Sequence, residues 1–571
     1  MARTAGSSRR WALVEGIQPE SFEPEAILEA LLLRRGLETP EEQQHFLEPR
    51  LSRLADPLRL PDMREAVLRV ERALRDRETI LLYSDYDVDG MTSCAVLYRL
   101  LSRLGGQVRA FQPERLSEGY GVSFSGIERA VSRGPEPGLF IALDCGTTSV
   151  AEMRSLAERG IDAIIIDHHE LAEELPPCCA LVNPQRGKTD RYLATVGLAF
   201  KFSHALLKLR GDPKLFDLKE VLDLVALGTV ADLVPLEGDN RILVHQGLKR
   251  MTTTSHVGLR ELMQTAGLRR APTPSTLGFV LGPRLNASGR VAEAALGFEL
   301  LITGDRERAQ ALARELEGFN RQRQELEQRA VEEAEEMLAK VFDPETDRCI
   351  VVGSPRWHQG VVGIVASRLA KMFYRPAVVI AIDASGHGKG SARGIEGFSL
   401  MDGLRGCARH LKKFGGHAVA SGLEIDADKI DEFRRDLNLW LAEHSPESAY
   451  RETLRVDVRL PASALTEGLA LGLARLEPFG QKNPAPLLWV EGLHFVNGPK
   501  AFGRNHVKMV LGNDQTEFDA VAFGFGTRAV PKAPFDVVGF WEWDQFIDRP
   551  GLRLVDWREP LELGERSHRI G

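Results

Sequence analysis

Acidic residues collect where apolar runs end: Asp85, Asp87 and Asp89 in Ser-Asp-Tyr-Asp-Val-Asp-Gly, Asp144 after Leu-Phe-Ile-Ala-Leu, and Asp167 with His168 and His169 after Ile-Asp-Ala-Ile-Ile-Ile. Asp232 closes a fourth run, Ala-Leu-Gly-Thr-Val-Ala. Carboxylates with one or two imidazoles, and no thiolate, select Mn²⁺ or Mg²⁺ over zinc or copper. Like charges gathered in one crevice repel unless cations neutralise them, so the set points to bound metal, and to two ions rather than one. Read singly, each aspartate is a turn former or helix cap and His168 a satisfied half-buried histidine; the set as a whole reads as a metal site.

The runs before these acids are short and rich in Ile, Leu and Val, which suits buried parallel strands whose carboxyl ends open into a crevice. From about residue 56 to 304, strand-like runs at 80–83, 140–143 and 164–166 alternate with helical patterns, the mark of βαβ units. Residues 1–55 read as a helical segment. Residues 305–345 are highly charged, with Leu312, Leu316, Phe319 and Leu326 at helical spacing, and predict a solvated connector helix weakened at Gly318.

A second α/β domain, 346–445, opens with strands at 349–352 and 377–382 around a helix at 361–371. It carries two glycine-rich loops, residues 386–393 and Gly415-Gly416-His417. Amides freed by glycine approach phosphate closely and adjacent cations add charge, so Ser391, Arg393, Gly415, Gly416 and His417 are candidates for tracking a phosphate backbone. Arg115, close after Pro113, and Arg284 and Arg290, flanking an acid-free loop, are further candidates. With Ser391 and Arg393 they would hold a terminal phosphate through bidentate forks; the alternative is surface arginines paired with acids. Residues 446–571 turn to short strands at 454–458, 487–495, 506–511, 517–523 and 537–543, the number for a small barrel. Phe502, Phe540, Trp541, Trp543 and Trp557 are candidates for base stacking, although aromatics in strands are more often core.

At 571 residues the chain exceeds one core and should divide into three or four domains. With 43% hydrophobic and 27% charged residues it has the composition of a soluble protein. No stretch approaches the roughly 18 apolar residues of a membrane span, and the first ten residues lack a signal-peptide core, so a cytoplasmic protein is expected. The six cysteines show no CxxC spacing and read as reduced core thiols. A net charge of −8 argues against a simple sticky nucleic-acid binder, yet residues 386–417 carry Lys389, Arg393, Arg405, Arg409, Lys412 and Lys413 against only Glu396 and Asp402, a local basic patch.

In their order, Asp-x-Asp-x-Asp-Gly, Leu-Asp-Cys-Gly, Asp-His-His and Gly-Thr-Val-Ala-Asp resemble the motifs of the DHH phosphoesterases. Three further motifs, Gly-Pro-Arg-Leu-Asn-Ala-Ser-Gly-Arg from Gly282, Trp-His-Gln-Gly-Val-Val-Gly from Trp357 and Phe-Gly-Gly-His from Phe414, resemble that family's bacterial exonucleases specific for single-stranded DNA. Glu-Pro-Phe-Gly from Glu477, with Asn483-Pro484, fits the same branch, and the likeness runs from about residue 50 onward. It departs at Tyr83, where some other members carry a metal-binding histidine. The resemblance implies a parallel-sheet DHH catalytic domain at 56–304, a connector helix joining two lobes, a DHH-associated α/β domain and a C-terminal OB-like barrel. It also implies metal-dependent 5′-to-3′ hydrolysis of single-stranded DNA to mononucleotides in repair and recombination. A metal pair about 3.5 to 4 Å apart suits that chemistry. On this reading Asp87, Asp89, Asp144, His168 and Asp232 are ligands with Asp144 bridging. Asp85 is a ligand or an orienting carboxylate, and His169 stabilises charge at the scissile phosphate. Single-stranded DNA is the expected partner, with a RecQ-type helicase and a single-strand-binding protein as candidate protein partners. The alternatives are a DHH phosphodiesterase acting on short RNA or cyclic dinucleotides, against which the extra β-domain speaks, and a catalytically silent DNA-binding scaffold, against which the intact set of acids speaks.

Overall fold

The computed structural model describes residues 9–16, 18–114, 121–187, 191–291, 295–417, 419–544 and 547–559. Its first sheet is wholly parallel, in the order Gln107–Phe111, Thr79–Ser84, Leu139–Leu143, Asp162–Ile166, Ala180–Val182. Successive side chains point to opposite faces. Ile80, Leu82, Ile141 and Ile164 pack with the helices Met63–Asp76, Val88–Arg103 and Thr195–Arg210, while Leu81, Tyr83, Phe140 and Ile165 pack with Phe124–Ser132 and Val150–Glu158. Burial on both faces is why these strands are unbroken apolar runs, each such side chain contributing about 1.5–3 kcal/mol. Tyr83 belongs to this core: its ring centroid lies 5.4 Å from those of Phe111 and Phe140.

From Thr79–Ser84 the chain first adds the outer strand Gln107–Phe111, then crosses to Leu139–Leu143 on the other side. Strand order therefore reverses between Thr79–Ser84 and Leu139–Leu143, the place where an open α/β sheet leaves a crevice at its carboxyl edge. Asp85 and Asp144 are the residues that immediately follow these two strands.

The chain divides into two compact units, one made of Pro49–Glu325 with Pro478–Pro484, the other of the remaining segments. The helix Arg306–Val341 runs unbroken through Gly318, as its charged, helix-forming composition requires. Within the first unit, the Pro478–Pro484 segment is held by Leu236 N–H donating to Gln481 O at 2.9 Å. The second unit holds a five-stranded sheet and a closed barrel. Residues 387–393 and 415–416, expected within loops, are strands (His387–Arg393 and Leu411–Gly416) flanking Ala420–Asp426, where Gly388 and Gly390 lie against Ile380.

The barrel closes through Leu488–Phe502, His506–Gly512, Glu517–Phe523, Arg549–Arg558 and Phe535–Asp544, with the last pairing back to the first. Arg549–Arg558 is a strand the sequence pattern had not separated from the tail. Residues 454–458, expected inside the barrel, split instead: Val458–Leu460 pairs with Leu488–Phe502, whereas Thr453–Val456 pairs with Arg10–Leu13. The N-terminal segment is thus not purely helical, since a strand precedes its helices Pro24–Arg34 and Pro40–Leu47. All six cysteines are free, but Cys179 is exposed rather than core. Among the described residues no helix is long and apolar enough to cross a membrane.

Candidate metal centre and strand-binding residues

Three backbone bonds extend the parallel ladder to the acids themselves: Asp85 N–H to Leu143 O, Asp144 N–H to Ile166 O and Asp167 N–H to Val182 O, at 3.0–3.1 Å. Asp87 caps the helix Val88–Arg103, its Oδ1 accepting from Gly90 N–H at 3.0 Å, so Asp89 falls in the first helical turn. Gly90 makes this turn feasible, because a Cβ there would lie 2.4 Å from Asp85 O. Asp144 adopts φ 62°, a left-handed conformation that Asp tolerates better than most residues. Asp232 caps the C-terminus of Leu222–Ala231, and Gly228 lets that helix lie against Asp89: a Cβ would come within 3.1 Å of its Oδ1.

These elements converge. Ligand atoms of Asp85, Asp87 and Asp144 lie within 4.8 Å of one another, as do those of Asp89, His168 and Asp232, and those of Asp144, His168 and His169. Asp144 and His168 each belong to two of the three groups. His168 Nε2 is 3.5 Å from Asp144 Oδ1 and 3.4 Å from Asp232 Oδ2. Both His168 Nε2 and Asp232 Oδ2 are buried without a hydrogen bond. Such orphaned atoms are costly, and a divalent cation would satisfy them together. The residues present fit the metal the sequence implies.

The electrostatics agree. Burial first, then repulsion from Asp87, pushes Asp89 up to about 7; burial and the neighbouring aspartates push Asp144 and Asp232 well above the carboxylate range. Burial and His169 lower His168 to about 4, so it is a neutral imidazole with a lone pair to offer. Asp167 behaves differently. Burial opposes its ionisation, but His169 and Thr147 outweigh that and hold it below the usual range. Its Oδ1 accepts from His169 Nδ1 at 2.7 Å and its Oδ2 from Thr147 N–H at 3.1 Å. Burial disfavours the cationic form of His169, but Asp167 outweighs that and raises it overall, which favours the imidazolium.

Three supporting residues escaped the sequence reading. Thr195 N–H and Val196 N–H donate to the two oxygens of Asp89 at 2.7 and 2.9 Å, and Thr195 Oγ1 donates to Asp144 Oδ1 at 2.9 Å. The N-terminus of Thr195–Arg210 has Ala194 at its cap and no side-chain cap, so its amides are available to an external carboxylate; a helix start lacking its own cap was the available signal. Asn183 donates to His169 O at 2.9 Å and to Thr147 Oγ1 at 3.1 Å.

The strand-binding candidates fall into separate places. In the second unit, register puts Arg393 opposite Ala420 and Gly416 opposite Ser421, so Ser391, Arg393, Gly415, Gly416 and His417 share one end of a sheet. Gly416 has φ 137°, and a Cβ would meet Ala420 O at 2.6 Å. Arg393 donates to Ser391 Oγ at 2.9 Å, and both side chains reach the first turn of Val362–Phe373, where a Cβ on Gly363 would lie 3.1 and 3.2 Å from them. Much of the local basic patch is neutralised by folding: Arg405 pairs with Asp402, Arg409 with Asp436 and Lys412 with Asp426, two of these acids lying beyond residue 417.

In the first unit, residues 284–290 are helical (Gly282–Val291), not a loop. Arg284 Nε donates to Glu317 Oε2 at 2.7 Å, and Arg290 lies near that helix's end. Arg115 lies outside the described residues. Trp541 and Trp557 are barrel core, Phe540 is packed under Arg553, Trp543 donates to Asp548 at 3.1 Å, and Phe502 is part-exposed beside His506 and Phe523.

Residues 79–229 match the DHH family, N-terminal domain; 346–443 match the DHHA1 domain; and 456–555 match the RecJ OB domain. The single-stranded-DNA-specific exonuclease RecJ of Bacillus subtilis is 37% identical over 543 residues, 93% of this chain and 67% of that protein. Its counterpart from Dickeya dadantii is 36% identical, with 92% and 93% covered. The crystal structure of RecJ with Mn²⁺ from Thermus thermophilus superposes with a TM-score of 0.81 at 32% identity, covering 97% of this chain and 80% of that one. The same protein with Mg²⁺ gives 0.76 at 30%.

Proposed function

The chain belongs to the RecJ family, and from that premise we propose that it is a metal-dependent exonuclease hydrolysing single-stranded DNA, in the 5′-to-3′ direction and to mononucleotides, in repair and recombination. The observation that carries this reading is the convergence of Asp85, Asp87, Asp89, Asp144, His168 and Asp232, with orphaned His168 Nε2 and Asp232 Oδ2 at its centre. Two divalent ions, when bound there, supply an activated water, charge relief at phosphorus and a stabilised leaving oxygen. Asp87, Asp89, Asp144, His168 and Asp232 would hold them. Asp85 belongs with Asp87 and Asp144 as a ligand or orients them. Thr195 fixes the rotamers of Asp89 and Asp144, and Asp167, accepting from His169 Nδ1, favours the His169 imidazolium, whose positive charge would stabilise charge at the scissile phosphate.

Ser391, Arg393, Gly415, Gly416 and His417 would take the strand's terminal phosphate and backbone, with Arg290 and Arg115 as further contacts. The domain plan at 56–304, 305–345, 346–445 and 446–571 is part of the same reading. We place the enzyme in the cytoplasm, with single-stranded DNA as substrate and a RecQ-type helicase and a single-strand-binding protein as partners. The deciding assay offers 5′-labelled single-stranded DNA, duplex DNA and short RNA with Mn²⁺, Mg²⁺ or chelator. Release of labelled mononucleotide from the single strand alone, lost with chelator, is expected. Preference for dinucleotide RNA would overturn the reading.

A further inference from the structure

Phe279 and Leu233 are the two most exposed large apolar side chains among the described residues, at 80% and 64%. They come from different elements: Leu233 directly follows Asp232, and the turn that carries Phe279 packs against the helix that Asp232 ends. Leu233 directly follows Asp232 and adopts φ 61°, a conformation that costs an L-residue energy and persists where surroundings impose it. Phe279 sits on the π-helical turn Leu277–Leu281, packed against the end of Leu222–Ala231: a Cβ on Gly278 would meet Val230 at 3.8 Å, and one on Gly282 would meet Ala231 at 3.7 Å.

The turn has a cause in the sequence. Pro283 offers no N–H and its ring crowds the preceding turn, so a helix continuing through it must widen there. Past Pro283 the helix Gly282–Val291 reaches the other side of the acidic cluster, where Gly289 lies against Tyr86 (a Cβ would be 3.3 Å from Tyr86 O). One helical rod thus runs from the Asp232 side to the Asp85–Asp87 side, presenting an aromatic ring at its start and Arg290 near its end.

We propose that Phe279, at the start of this rod, is a stacking platform for a nucleobase of the strand lying over the metal cluster, and that it helps to select single strands. Only an unpaired, unstacked base presents a free face to such a ring, and stacking on an aromatic side chain tolerates any base. This inference rests on the reading of the chain as a single-strand nuclease.

The test compares wild type with Phe279→Ala and Phe279→Trp, changes at a side chain too exposed to affect folding. Steady-state kinetics use 5′-phosphorylated oligothymidylate and the same strand with abasic residues near its 5′ end. Binding is read separately, as quenching of 2-aminopurine scanned through the first positions in the presence of chelator. Phe279→Ala should raise KM about tenfold with kcat little changed and lose the quenching at one position, while Phe279→Trp keeps both. On the abasic strand wild type and Phe279→Ala should share one KM. Equal KM and equal quenching for wild type and Phe279→Ala on the natural strand would overturn the proposal. A wild-type enzyme that cleaves no single-stranded DNA would instead overturn the functional reading, and its quenching pattern would still decide whether Phe279 stacks on bases.

Discussion

The hydroxyl of Thr195 donates to Oδ1 of Asp144 over 2.9 Å, while the amide of the same residue donates to Asp89. One helix start thus orients two carboxylates from two different elements. Thr195→Val removes the hydroxyl and keeps the shape and the amide. It should weaken Mn²⁺ binding by about 10- to 100-fold, the usual cost of losing a partner behind a metal ligand. Activity at limiting Mn²⁺ should fall and recover as Mn²⁺ is raised. A Mn²⁺ titration of turnover that superposes on wild type would remove Thr195 from this role.

Metal binding should depend on pH with a defined sign. Asp89 is held up at about 7, and Asp144 and Asp232 well above the carboxylate range, by burial and mutual repulsion. Ions bind the deprotonated forms, so affinity should rise with pH through about 7 and binding should release protons. The same raised values mean that, from about pH 4 upward, the folded chain holds protons that the unfolded chain has given up. Without metal, stability therefore falls as pH rises through about 7, and Mn²⁺ restores it. Calorimetry in buffers of different ionisation enthalpy measures the protons released, and none at pH 6.5 would contradict the charge state assigned here.

The clustered acids were legible because several directly follow an element whose apolar pattern is strong: Leu139–Leu143 before Asp144, and Asp162–Ile166 before Asp167. Thr195 and Asn183 were not, since their roles arise from backbone amides and a fold-back across many residues that no local pattern encodes. The glycine-rich pieces at 386–393 and 415–416 misled because glycine signals a turn on its own, whereas here it admits close strand neighbours such as Ile380 and Leu423 beside Gly390. Lys412 and Arg409 read as a free basic surface because their partners, Asp426 and Asp436, lie 14 and 27 residues further along the chain.

Trp11 is a case where function could not be read but structure assigns a task. Its ring is buried with Val456, Leu487 and Val538, and its Nε1 donates to Asp556 at 2.9 Å. Trp11→Ala should cost about 3–5 kcal/mol by the usual scale for emptying such a site. The loss should appear as faster hydrogen exchange at Leu454 and Val456, on the strand that pairs with Arg10–Leu13. Unchanged protection there would show that the N-terminal strand is not holding this part of the second unit.

Arg393 and Arg284 should respond oppositely to the same substitution. Arg393 stands with Ser391 at the first turn of Val362–Phe373, where amides and a guanidinium together suit a phosphate. Arg284 is bonded at 2.7 Å to Glu317, which Arg321 also contacts at 3.1 Å, so its fork is committed to bracing one helix on another. Arg393→Ala should therefore weaken binding of single-stranded DNA, lower the salt slope by about 0.7 per phosphate contact released, and reduce any preference for a 5′-phosphate over a 5′-hydroxyl. Arg284→Ala should lower the melting temperature and leave that slope in place. The measurement is a set of dissociation constants for 5′-phosphorylated and 5′-hydroxyl strands across a range of salt, alongside thermal melts. A slope unchanged in Arg393→Ala but reduced in Arg284→Ala would reverse the two assignments and move the backbone contact to the helix Gly282–Val291.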